Sequence, residues 1–228
     1  KVDILVTPLA TIFAGVGLSM LIAAPIGAAA SQVGTLIMWA TEQAPLVMGI
    51  LVSVIVGVAL TLPISSAAIC AALGLTGLAG GAAVAGCCAQ MVGFAVMSYK
   101  ENGVGGLVSQ GLGTSMLQMG NIIKNPRIWI APTLASAITG PLATCLFHFE
   151  MNGAAVSSGM GTCGLVGQIG VYSGWVSDIA AGTKAAITPM DWVAMVLLCF
   201  VLPAVLSVGF CEVERKLGWI KEGDLKLN

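Results

Sequence analysis

Long uncharged stretches dominate the sequence. They cover residues 4–41, 43–99, 102–123, 128–147, 151–177 and 192–211. A helix needs roughly 20 apolar residues to cross about 30 Å of hydrocarbon, whereas barrel strands would alternate apolar and polar side chains. The pattern therefore predicts an all-α integral membrane protein with about six to seven spanning or re-entrant helical segments.

The uncharged stretches differ in what they predict. Uninterrupted crossings are expected at 4–23, 46–62, 128–147 and 192–211. Pro25 and Gly27 are expected to end the first helix, which leaves 26–40 as a half-helix or an oblique segment. The Gly/Ala-rich run 64–99 has room for two tightly packed helices or one bent helix.

Two further segments, 103–122 and 151–177, are uncharged but rich in Gly, Ser and side-chain amides. Polar, glycine-rich backbone at membrane depth is tolerated where it is buried in protein or lines a wet cavity. These segments therefore predict glycine-rich hairpins.

The order of segments predicts one polytopic membrane domain over 1–211, with a weak internal repeat. Pro8 followed by Gly27–Ser31 resembles Pro132 followed by Gly153–Ser157, so the repeats are placed at about 4–62 and 128–211. Paired interrupted segments in two halves point to a transporter site near the bilayer midplane. The charged segment 212–228 is predicted to be a polar cytoplasmic tail, since cations near span ends favour the cytoplasm.

Composition agrees with this class and excludes others. Apolar residues make up 57% of the chain and charged residues 8%, against about 25% charged in soluble domains. The formal net charge is -1 and no basic block is present, which argues against nucleic acid as a partner. The seven Cys lie in apolar runs without metal-ligand spacing, and a single His supports no nucleophilic triad. We therefore predict no catalytic residue, no metal and no cofactor.

The strongest candidate for a binding site is the run from His148 to Gly153. His148, Glu150 and Asn152 lie where an apolar span meets a glycine-rich stretch. Ionisable residues at membrane depth are costly and often functional, and a carboxylate beside an amide suits sugar hydroxyls. Alternatively, Glu150 ends the span at the outer interface and is solvated; the polar run that follows favours the binding site.

Three amides are weaker candidates. Gln168 lies within glycines spaced three apart at 161–170, which indicates irregular backbone or close helix packing. Gln118 and Asn121 could share a helix face that lines a pathway, or they could mark a helix end entering water. Trp175 is a candidate for stacking on a ligand.

Several motifs resemble a known family. They are Thr114-Ser115-Met116, Lys124-Asn125-Pro126, Ala131-Pro132, Gly140-Pro141-Leu142 and Gly159–Gly167, together with Val6-Thr7-Pro8-Leu9 and Ala24-Pro25-Ile26-Gly27. Over roughly 4–211 the chain resembles IIC-type proteins, relatives of the sugar permease of the phosphoenolpyruvate-dependent phosphotransferase system. This family includes proteins labelled as regulators of the toxin perfringolysin.

The resemblance implies a homodimeric permease with re-entrant hairpins in a bacterial inner (plasma) membrane. Its sugar site is built around a Glu at a hairpin tip, a role that falls on Glu150 with His148 and Asn152 beside it. The chain departs from the family in lacking a Gly-Ile-Thr-Glu-Pro stretch and a soluble part with a phosphorylated Cys. Phosphorylation would therefore need soluble partner chains.

The leading hypothesis is a permease that binds and translocates a sugar, polyol or related polar molecule by alternating access. Glu150, His148, Asn152, Gln168, Asn121 and Gln118 are its predicted substrate-binding residues. The expected partners are this ligand, membrane lipid, a second copy of the chain and soluble phosphotransferase chains. The alternatives are a membrane sensor or regulator that kept the fold without transport, and an ion-coupled secondary transporter.

Overall fold

The structure, a computed structural model, describes residues 3–227, and these residues form helices and turns with no strand among them. The side chains of 3–6, 9–10 and 18–24 lie outside this description. Three described stretches are long and apolar enough to cross a membrane: Gly77–Met97, Pro126–Leu146 and Pro189–Lys216. The predicted all-α membrane fold is thereby confirmed, with shorter helices and turns between the three spans.

The helices follow one another in chain order. They are α1 (Asp3–Gln43), α2 (Pro45–Thr61), α3 (Ser66–Leu73), α4 (Gly77–Met97), α5 (Tyr99–Val108), α6 (Met119–Lys124), α7 (Ile130–Pro141), α8 (Val166–Ala180), α9 (Pro189–Val196) and α10 (Leu202–Lys216). A single π-helical turn at Leu142–Leu146 extends α7 and completes the span Pro126–Leu146. A second one, at Leu197–Val201, joins α9 to α10 in the continuous span Pro189–Lys216.

The interruption predicted at Pro25 is wrong, because α1 continues through Pro8 and Pro25 for 41 residues. A proline inside a helix removes one hydrogen bond, and membrane helices tolerate that loss better than the soluble-protein rule suggests. The run 64–99 does divide into two helices. Gly74, at φ 63°, ends α3 in the left-handed conformation, and α4 begins at Gly77.

Helix α4 is the centre of the molecule, since nearly all of its residues are buried inside the protein. Small residues let its neighbours approach closely. A Cβ added at Gly86 would lie 2.0 Å from the carbonyl oxygen of Ser53 on α2, so the two backbones touch at this point. Close backbone approach of this kind increases the van der Waals packing that helps helices to associate in lipid.

Two hairpins pack against α4 from opposite ends. The first, which we name the site hairpin (151–180), starts at Met151, whose backbone forms two 3.0 Å hydrogen bonds with Gly77 at the beginning of α4. Its turn at Gly161 contacts Cys87 and Cys88 in the middle of α4, and α8 then returns to the starting end.

The second, the tail hairpin (99–124), starts at the other end of α4. Its α5 arm is held by Gln110, whose Nε2 donates to Ser98 Oγ at 2.7 Å, and α6 forms its returning arm. The hairpins meet at their turns, where Thr162 Oγ1 donates to the Gly111 carbonyl oxygen at 2.5 Å. The predicted repeat and the boundary at residue 211 stay predictions.

A buried polar network joins three helices beside these turns. Gln90 on α4 is fully buried, and its Oε1 accepts from Trp129 Nε1 at 2.9 Å and from Thr61 Oγ1 on α2 at 3.3 Å. Its Nε2 donates to Thr133 and Ser136 in the span Pro126–Leu146, at 3.3 and 3.4 Å. The Gln90 side chain therefore has hydrogen-bond partners both on α2 and in the span Pro126–Leu146.

Gln90→Leu is expected to destabilise the protein by about 1–3 kcal/mol, mainly because Trp129 Nε1 loses its acceptor. Thr61 keeps its 2.8 Å hydrogen bond with Ser115, and Thr133 keeps its bond to the Trp129 carbonyl oxygen. The measurement is thermal unfolding in detergent of both single variants and of the double variant with Trp129→Phe. The double variant should lose less than the sum of the single losses; additive losses would contradict this explanation.

Candidate functional site

The loop between the Pro126–Leu146 span and the site hairpin places its side chains on alternate sides. Phe149 and Met151 are buried against α4, and Phe149 N donates to the Ala143 carbonyl oxygen at 2.8 Å. His148 and Glu150 are consequently exposed. His148 has φ 44°, a left-handed conformation in which histidine is more frequent than most residues, and it reverses the chain here.

Gly81 is what allows this loop to approach α4. A Cβ at residue 81 would lie 1.6 Å from the carbonyl oxygen of Phe149 and 2.7 Å from its carbonyl carbon. Only a glycine leaves room for the backbone next to Glu150. The position of the backbone at Glu150 is thus set by packing in the protein interior.

The returning arm of the site hairpin brings a second carboxylate to Glu150. Asn152 Nδ2 donates to Glu150 Oε2 at 3.0 Å and to Asp178 Oδ2, near the end of α8, at 2.8 Å. Each carboxylate keeps a second oxygen able to accept hydrogen bonds. The amide therefore holds two acceptor groups side by side where the two arms of the hairpin meet.

A cation and an indole ring line the same cavity as the Glu150 and Asp178 carboxylates. Lys184 Nζ is 2.9 Å from Asp191 Oδ1 and 5.9 Å from the centre of the Trp175 ring. Asp191 is itself fixed by a capping box with Thr188 at the start of α9. Trp175 is buried and meets Trp192 edge to face, with ring centres 5.5 Å apart. The side chains on this wall are therefore held in place before any ligand arrives.

These groups surround a cavity of about 510 Å³, within the usual range for small-molecule sites. Its lining residues are Phe147, His148, Phe149, Glu150, Asn152, Trp175, Asp178, Thr183, Lys184, Thr188, Met190, Asp191 and Ala194. Carboxylates, an amide and hydroxyls surround an aromatic face, which suits a ligand with many hydroxyl groups.

The structure brings together three of the six predicted substrate-binding residues: His148, Glu150 and Asn152 all line the cavity. Gln168 is buried elsewhere, and its Nε2 lies 3.3 Å from Cys88 Sγ. The Gln168 Oε1 atom has no hydrogen-bond partner among residues 3–227.

Gln118 and Asn121 lie at the opposite end of α4, whose 21 residues span about 30 Å. Gln118 Nε2 donates to the Leu225 carbonyl oxygen at 2.9 Å, and Asn121 Nδ2 donates to that of Lys226 at 3.0 Å. Both side chains therefore bind the carboxyl-terminal segment of the chain, far from the cavity.

Sequence reasoning missed Asp178, Lys184 and Asp191. The capping box from Thr188 to Asp191 is readable as Thr-Pro-Met-Asp, and it marks the start of the helix that holds Asp191. Nothing local in the sequence indicates that Asp178 returns to Asn152. Trp175, which the sequence suggested as a stacking residue, does line the cavity.

Comparison with protein families agrees with this architecture. The model of the family described as "Phosphotransferase system, EIIC" matches residues 1–227. Comparisons with curated proteins and with solved structures each give no match. Since the match covers nearly the whole chain, and the fold is helical with membrane-spanning segments, the chain belongs to the EIIC family, the membrane-embedded sugar permease components of the phosphotransferase system.

Proposed function

We propose that this EIIC chain binds a sugar or related polyol in the cavity beside Glu150 and carries it across the membrane by alternating access. The observation that carries the proposal is the side-by-side placement of Glu150 and Asp178, bridged by Asn152, at a cavity lined by Trp175. Ionised carboxylates accept strong, charge-assisted hydrogen bonds from hydroxyl donors. The apolar face of a sugar ring would pack on the Trp175 indole.

The charges of the cavity support a ligand that is not an anion. Lys184 is already paired with Asp191, whereas the Glu150 and Asp178 carboxylates have the Asn152 amide as their shared hydrogen-bond donor. An anionic ligand would meet two carboxylates, while neutral hydroxyl groups would donate to them.

The distribution of cations supports an orientation for the cavity. The cations near the tail-hairpin end of α4 are Lys100, Lys124, Arg127, Arg215, Lys216, Lys221 and Lys226, while Lys184 lies at the cavity. Cytoplasmic loops carry an excess of Lys and Arg, which supports a cytoplasmic tail end and a cavity that faces outward.

Alternating access would then use the two hairpins. In this proposal the contact between Thr162 and Gly111, where the two hairpins meet, would close the route from the cavity toward the tail end. Movement of the site hairpin relative to α4 would open that route, and the glycine-rich turn of the hairpin supports such movement. In this proposal both hairpins are re-entrant in a bacterial plasma membrane, the permease is a homodimer in lipid, and soluble phosphotransferase chains phosphorylate the sugar.

The test combines thermal unfolding with uptake. The purified protein is first screened against hexoses, hexitols and pentitols, because a ligand that binds only the folded state stabilises it, by about 2.7 kcal/mol at 100 times Kd. The sugar that raises the melting temperature is then followed into membrane vesicles with and without phosphoenolpyruvate and the soluble phosphotransferase proteins.

We expect uptake that requires phosphoenolpyruvate. Uptake that ignores phosphoenolpyruvate and collapses with the proton gradient would overturn the proposal in favour of an ion-coupled transporter. Saturable binding without any flux would instead favour a membrane sensor or regulator that keeps the fold without transport.

A further inference from the structure

The carboxyl-terminal segment 219–227, which we name the tail segment, is packed into the protein in spite of its polar sequence. Leu225 is fully buried and Ile220 is 3% exposed, and both lie in one apolar cluster with Phe94, Met97 and Ile122. Arg127 lies over the Trp219 ring, 5.6 Å from its centre. The tail segment is therefore packed against the end of α4 through buried apolar side chains.

The tail hairpin holds the tail segment by its backbone. The Leu225 carbonyl oxygen accepts from Asn102 Nδ2 at 2.8 Å and from Gln118 Nε2 at 2.9 Å. The Leu225 N–H donates to Glu101 Oε2 at 2.9 Å, and the Leu227 N–H donates to Asn102 Oδ1 at 2.8 Å. Asn121 adds its bond to the next carbonyl oxygen, that of Lys226.

These hydrogen bonds come from both arms of the tail hairpin. Glu101 and Asn102 belong to the α5 arm, Asn121 belongs to the returning arm α6, and Gln118 is the last residue of the turn 109–118 between them. Glu101 also accepts from Arg215 Nη2 at 3.0 Å in a mostly buried ion pair, which ties the same arm to α10. The tail segment thus joins the two arms to each other and to the last membrane span.

The tail hairpin has little helical stability of its own. Gly103 breaks α5 with φ 60°, and further glycines at 105, 106, 111, 113 and 120 lower helix propensity along both arms. Its turn nevertheless contacts the site hairpin, through Gly111 and Thr162, and α2, through Ser115 and Thr61, in addition to packing on α4. The position of this turn therefore depends on how firmly the two arms are held.

We propose that the tail segment is a latch that holds the tail hairpin closed beneath the cavity, and that its release frees the 109–118 turn from the site hairpin. The latch acts through the Leu225 side chain, which is buried in the apolar cluster at the end of α4, and through Asn102 and Gln118, which donate hydrogen bonds to the Leu225 carbonyl oxygen. This inference concerns the hairpin alone and holds whatever ligand the cavity takes.

The experiment is hydrogen exchange, followed by mass spectrometry, on the full chain in detergent. Leu225→Asp is compared with Leu217→Asp, a matched substitution at a position that is 58% exposed just before the tail segment. We expect amides of 109–118 to exchange at least tenfold faster in Leu225→Asp and to stay unchanged in Leu217→Asp. Exchange within the Gly77–Met97 span should be the same in both.

A rise in exchange confined to 217–227 would overturn the proposal, because the hairpin would then stay closed without its latch. Asn102→Ala provides the second variant: it removes two hydrogen bonds to the tail segment and leaves the apolar cluster intact. Asn102→Ala should also speed exchange at 109–118, by a smaller factor. If Leu225→Asp fails to fold, unchanged exchange at 109–118 in Asn102→Ala would contradict the proposal.

Discussion

Gly81→Ala is expected to destabilise the protein by about 3 kcal/mol and to displace the loop that carries Glu150. The added methyl group would lie 1.6 Å from the Phe149 carbonyl oxygen, a distance that requires backbone movement. Both ends of this loop are fixed, by the 2.8 Å bond from Phe149 N to the Ala143 carbonyl oxygen and by the pairing of Met151 with Gly77. No change of rotamer can relieve the overlap, so the cost falls on the backbone next to the cavity.

Gly209→Ala is the matched control for this substitution. Gly209 lies inside α10, and a Cβ there would meet nothing within 4 Å. Alanine at such a helical position is expected to be neutral or to stabilise by up to about 1 kcal/mol. The measurement is the melting temperature in detergent, which should fall for Gly81→Ala and hold or rise for Gly209→Ala. Equal melting temperatures in the two variants would show that the loop does not depend on close approach at Gly81.

The membrane spans could be predicted because lipid imposes a simple rule. Charged residues are excluded over about 20 positions, so the uncharged run 128–147 almost coincides with the observed span Pro126–Leu146. The same rule says little about helix ends inside an uncharged run. Pro25 shows this: the sequence carries a helix breaker, but the helix continues through it.

Apart from Trp175, the part of the candidate site that could be predicted consists of residues that are neighbours in sequence. His148, Glu150 and Asn152 share one short loop, so their chemistry could be read as a motif. Asp178 reaches Asn152 through the return of a hairpin, a contact that no local pattern encodes. Gln118 and Asn121 donate to backbone carbonyl oxygens in the structure, and amides at helical spacing look the same in sequence whether they face a ligand or a backbone carbonyl.

Glu150→Gln is expected to weaken sugar binding at least tenfold while leaving the unliganded protein as stable as before. A hydrogen bond to a charged acceptor contributes about 1.5–3 kcal/mol, and each 1.4 kcal/mol is a factor of ten in affinity. The glutamine keeps the shape of the side chain and an oxygen that can accept from Asn152, so the 3.0 Å contact survives. The loss would therefore fall on the hydrogen bonds that the proposal places between the carboxylate and ligand hydroxyls.

Glu42→Gln separates this effect from a general change in charge. Glu42 is exposed beside the turn between α1 and α2, which reaches the same end of the molecule through the bond from Thr144 Oγ1 to the Pro45 carbonyl oxygen. Both variants remove one negative charge at the cavity end, so an effect of net charge alone would lower affinity in both. Thermal titration with the sugar that stabilises the unsubstituted protein should show full affinity for Glu42→Gln and a reduced affinity for Glu150→Gln. Retained affinity in Glu150→Gln would remove Glu150 from the site, because a carboxylate that accepts ligand hydrogen bonds cannot lose its charge without loss of binding energy.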